Sequence, residues 1–118
     1  MMQELIDTLH IEQCSLVILH DSKIRTFNGH GIRGLYNIMS KEPELLYDAK
    51  LAVKAVGRSA AAMMVEGGVA EVYADYMSQQ AYDALTSAGI KASYDRKLDH
   101  SAFLDLWRKL GELQAISA

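Results

Sequence analysis

A chain of 118 residues, half of them hydrophobic and 23% charged, has the composition of a globular domain with one core rather than of a disordered segment. Its net charge of −3, without any Lys/Arg block, gives no electrostatic footing for nucleic acid or an anionic membrane, and no apolar run approaches the roughly 20 residues of a membrane-spanning helix. The single cysteine, Cys14, forbids an intrachain disulfide, and the start Met1-Met2-Gln3-Glu4-Leu5 lacks the positive charge of a signal peptide, so a reducing, cytoplasmic setting is expected.

Residues 2–12 are predicted helical, with Leu5, Ile6 and Leu9 at helical spacing and Asp7 and Glu12 outward. Ser15–His20 is an apolar run of strand length, Asp21-Ser22 a turn, and Ile24–Asn28 an alternating, half-buried strand. Strands joined so tightly must be antiparallel, because a parallel crossover needs a dozen or more residues. The loop Gly29–Gly34 is expected to lead into a short helix around 35–39, and Pro43 to sit in the first turn of a helical piece holding Leu45, Leu46 and Tyr47. From Lys50 to Glu66 the apolar residues would wrap most of a helix circumference, which predicts one long buried helix ended by Gly67-Gly68.

Val69–Tyr76 reads as a strand, Ser78 as the N-cap of a helix over 79–88, Gly89 as its stop, and Lys91–Tyr94 as a short strand. A strand–helix–strand unit of this kind makes the two strands parallel and the crossover right-handed. Phe103, Leu106, Trp107, Leu110 and Leu113 then mark a last amphipathic helix. No linker or repeat interrupts the order, so residues 1–118 are expected to form a single α/β domain with a mixed sheet.

That order resembles the three-layer cytidine deaminase-like fold from about Ser15 to Tyr94. Asn28 falls where a deaminase holds the nucleoside sugar, but His30 replaces the Glu two residues later. The resemblance sets Ala55-Val56-Gly57-Arg58-Ser59-Ala60 where the His/Cys-x-Glu helix start belongs, and Ser78-Gln79-Gln80-Ala81-Tyr82 where Pro-Cys-x-x-Cys belongs. With no cysteine pair to hold zinc and no carboxylate to move the proton, zinc-dependent deamination is excluded. The stretches Val53–Ala61, Glu66-Gly67-Gly68-Val69 and Val72-Tyr73-Ala74-Asp75 are similar to a prokaryotic family of unknown function that carries this fold without its zinc site. The resemblance implies a fold and a pocket position, not a reaction, and no cofactor or metal is expected.

Gly29-His30-Gly31-Ile32-Arg33-Gly34 matches G-x-G-x-x-G, but the preceding strand belongs to a hairpin and 20 residues on lies a helical segment, so the dinucleotide reading fails on context. Two readings stay open: a turn that needs its glycines, or N–H groups and Arg33 offered to a phosphate or carboxylate. Lys54 and Arg58, four apart on the expected helix, either snorkel or pair with Asp75, or else bind an anion at the pocket position. The four histidines share no metal-ligand spacing, and only His30 falls in the expected pocket, with no nucleophile beside it.

Three functions compete. The first is non-catalytic binding of an anionic or nucleotide-like small molecule through Asn28, Gly29, His30, Gly31, Arg33, Lys54, Arg58 and Asp75. The second is an enzyme of unrecognised type in the same pocket. The third is an interaction protein, or a homo-oligomer built on the last helix.

Overall fold

The computed structural model describes residues 2–28 and 31–110. In chain order these form α1 (Met2–Ile11), β1 (Leu16–His20), β2 (Lys23–Phe27), α2 (Gly31–Lys41), a 3-10 turn (Pro43–Leu45), β3 (Lys50–Val56), α3 (Arg58–Gly67), β4 (Glu71–Ser78), α4 (Gln79–Ser87), β5 (Lys91–Leu98) and α5 (His100–Leu110). One five-stranded mixed sheet runs β2-β1-β3-β4-β5; β1 is antiparallel to both neighbours, and β3, β4 and β5 are parallel.

The sheet separates two cores, and along the middle of the strands alternate residues go to each. Leu16, Ile18, Leu51, Val53, Val72 and Ala74 join the large cluster with Leu35 of α2, Met64 of α3 and Leu85 of α4. Val17, Ala52 and Tyr73, one residue out of phase, meet Leu5 and Leu9 of α1 and the buried Cys14 on the other face. Helices on both faces make the three layers that the resemblance implied. Burial pushes the Cys14 thiol above its ordinary range.

The largest correction concerns residues 50–66. They are not one helix: Lys50–Val56 is the central strand, and only Arg58–Gly67 is helical. A strand covered on both faces is an apolar run without a period, which on spacing alone is indistinguishable from a buried helix. The helix itself is one-sided, with Ala60, Ala61 and Met64 inward and Arg58, Ser59, Ala62 and Glu66 exposed. Lys54 and Arg58 therefore share no helical face. In addition, α2 begins at Gly31, so Gly31 and Gly34 belong to a helix rather than a loop, and β5 continues to Leu98.

Punctuation by single residues is local and decisive. Gly68 closes α3 at φ +78, where a Cβ would also lie 3.0 Å from Tyr47 Cδ1. Gly89 at φ +81 closes α4: Gly89 N–H bonds Thr86 O and Ile90 N–H bonds Leu85 O, both at 3.0 Å, while Ile90 is buried. Ser78 caps α4, its Oγ accepting from Ala81 N–H at 3.0 Å. No described helix is long and apolar enough to cross a membrane.

Candidate functional site

Two polar regions lie along β3 and β4. The first centres on Asp75, a carboxylate whose side chain is 9% exposed. Its Oδ1 accepts from the Tyr73 hydroxyl at 2.8 Å and from His10 Nε2 at 2.7 Å, and Lys54 Nζ lies 3.6 Å from Oδ2. Strand alternation places Tyr73 and Asp75 on one face, two residues apart, and α1 brings His10 over them. Because an ionised carboxylate only accepts, the imidazole must present Nε2–H to it. Burial, followed by the hydrogen bond to Asp75 and the charges of Asp75 and Asp95, holds the Tyr73 hydroxyl well above the ordinary tyrosine range. Lys54 is also 5.7 Å from the centre of the Tyr76 ring. This cluster is internally satisfied, and it ties α1 to β3 and β4.

The second region lies at the C-terminal ends of the same strands. Val56 and Met77 are register partners, so Gly57 and Ser78 follow side by side and α3 and α4 begin next to each other. The two starts differ. Ser78 caps α4, whereas Gly57 at the start of α3 has no side-chain acceptor to offer. The first intrahelical bond there is Ala61 N–H to Gly57 O, which leaves the N–H groups of Arg58, Ser59 and Ala60 without acceptors in their own helix. The Arg58 side chain is exposed and makes no ion pair or hydrogen bond among the described residues.

Gln80, in the first turn of α4, has a buried Oε1 with no hydrogen-bond partner. Ala81 points into the core, and Tyr82 on one flank meets Tyr94 of β5. Residue 80, on the opposite flank, therefore turns toward α3.

The residues expected to form one site are thus divided. Lys54 and Asp75 pair with each other in the first region, and Arg58 stands alone in the second. Asn28 is exposed just past the end of β2, whose last residue, Phe27, is level with Val53 but with β1 between the two strands. Gly31 and Arg33 lie in the first turn of α2, and Gly29 and His30 lie outside the described residues. His10, Tyr73 and Gln80 were missed. Tyr73 carried a signal, since it sits two residues before Asp75 on a strand; His10, 65 residues from its partner, carried none. No group of three His, Cys, Asp or Glu placed to hold a metal ion occurs among the described residues.

Residues 4–101 match the family described as a domain of unknown function, DUF1893. The chain belongs to that family. The crystal structure of a DUF1893 family protein from Thermotoga maritima is similar at a TM-score of 0.73 and 18% identity, covering 82% of this chain and 65% of that one. The chain therefore spans about two thirds of that relative's length, and the two share the fold. A diaminohydroxyphosphoribosylaminopyrimidine deaminase/5-amino-6-(5-phosphoribosylamino)uracil reductase from the same organism reaches only a TM-score of 0.47 at 14% identity, covering 80% of this chain and 31% of that one. No curated protein matches the sequence.

Proposed function

We propose that this DUF1893 protein is a non-catalytic binding protein for a small anionic, nucleotide-like molecule, seated where the C-terminal ends of β3 and β4 meet the starts of α3 and α4. The observation that carries the reading is Arg58, exposed and unpaired at a helix start whose glycine N-cap supplies no acceptor. Free N–H groups and the positive end of a helix favour an anion, and ligands of α/β sheets gather at the carboxyl ends of parallel strands. The unpartnered Oε1 of Gln80 adds, on the flank facing α3, an acceptor for a hydroxyl or amino group of such a molecule. Asn28 follows β2 at the same end of the sheet, and Arg33 is proposed as a second cation. Lys54 and Asp75 drop out of the ligand set because they neutralise each other. The lone buried Cys14 and the acidic net charge accord with a protein of the reducing cytoplasm that does not bind nucleic acid.

Thermal melts in inorganic phosphate, nucleoside monophosphates and small dicarboxylates test this. A ligand of the native state adds about 2.7 kcal/mol at a hundredfold excess over Kd. At least one of these anions is expected to raise the melting temperature of the wild type, and Arg58→Ala to abolish the rise without lowering the unliganded melting temperature. A flat response across the set would overturn the proposal.

A further inference from the structure

We propose that the outer edge of β5 is a latent pairing surface for a second copy of this chain, held closed by the side chain of Lys97. β5 is an edge strand of eight residues, so along one side its backbone N–H and C=O groups have no strand partner among the described residues. Its register with β4 sets Tyr94 beside Ala74, on the face that carries α3 and α4, and there the Tyr82 and Tyr94 rings meet edge to face at 5.7 Å and 84°. Lys97 pairs with Met77 three positions later, so its side chain starts from the opposite face. Yet its Nζ lies 4.5 Å from the centre of the Tyr82 ring and 5.5 Å from that of Tyr94. β4 occupies the inner side of β5, so the lysine reaches those rings only by passing around the outer edge, across the place where another strand would bond.

The chemistry of the edge names the occupant. A two-fold axis normal to the sheet and centred on Arg96 would pair β5 with itself, antiparallel, and keep each face continuous. Asp95 would then oppose the other copy's Lys97, and Tyr94 its Leu98, each contact occurring twice, as cross-strand neighbours on one face do. Seated on its own tyrosines, Lys97 is withheld from that partner.

Releasing the lysine should therefore promote association. In sedimentation velocity over a concentration series, Tyr82→Leu is expected to associate to twice the wild-type mass, with half-association at a concentration at least tenfold lower than for wild type. Adding Asp95→Lys, which opposes like charges at the new interface, is expected to reverse this. Tyr94→Leu, at a position 38% exposed, removes the ring under Lys97 but keeps an apolar neighbour for the other copy's Leu98; it is the second release should Tyr82→Leu prove unstable, and is expected to act in the same direction. If neither release variant associates more readily than wild type, or if Asp95→Lys leaves the association intact, the proposal is wrong.

Discussion

Lys54 and Arg58 stand four residues apart and carry the same charge, but they have opposite surroundings. Lys54, on β3, lies in a closed set of partners: Asp75 beside it, and Tyr73 and His10 bonded to that carboxylate. Arg58, just past the end of the same strand, has none, and the helix it opens lacks a capping side chain. A charge whose partners are all internal holds structure together, whereas one left without them is free for a molecule from outside. The comparison assigns stability to the first region and recognition to the second, and each can be broken separately.

The largest effect is expected from Asp75→Ala. It leaves the Tyr73 hydroxyl, His10 and Lys54 without their acceptor, and should cost about 3 kcal/mol in chemical denaturation, the low end for breaking a buried charge pair because His10 and Lys54 keep side-chain exposures of 51% and 42%. Tyr73→Phe removes one donor and should cost about 1 kcal/mol. It also has a pH signature. The folded state holds the Tyr73 proton above the ordinary range, so the unfolded chain loses it first, near pH 10. The stability tied to that proton is complete below about pH 10 and falls as the pH rises further, and Tyr73→Phe should flatten that decline. Arg58→Ala should alter stability by no more than about 0.5 kcal/mol, as expected for an exposed side chain with no partner. A large loss there would place Arg58 in the first class and dissolve the contrast.

How much of this the sequence disclosed follows from where its signals are local. The hairpin, the β4–α4–β5 unit, the Ser78 cap and the Gly89 stop are each written within a few residues, and each is present. β3 was not legible, because Leu51, Ala52, Val53, Ala55 and Val56 are buried on alternate sides of a covered sheet and leave no polar phase to read. Gly57 was the one available break between strand and helix. The same misreading placed Lys54 and Arg58 on a common helical face. Asp75 was legible as the rival partner of Lys54, and that pairing is present. His10 was not, since the contact depends on how α1 crosses the sheet. Gln80 drew no notice, because an amide at a helix start is ordinary until its burial is known.

The central claim is that ligand recognition belongs to the starts of α3 and α4 and not to the Asp75 cluster. Amide chemical-shift mapping by NMR, with whichever anion raises the melting temperature most, tests it directly. Perturbations should concentrate on residues 57–60 and 78–81, leaving His10, Lys54, Tyr73 and Asp75 unmoved. Shifts centred on those four residues instead, with 57–60 silent, would contradict the account.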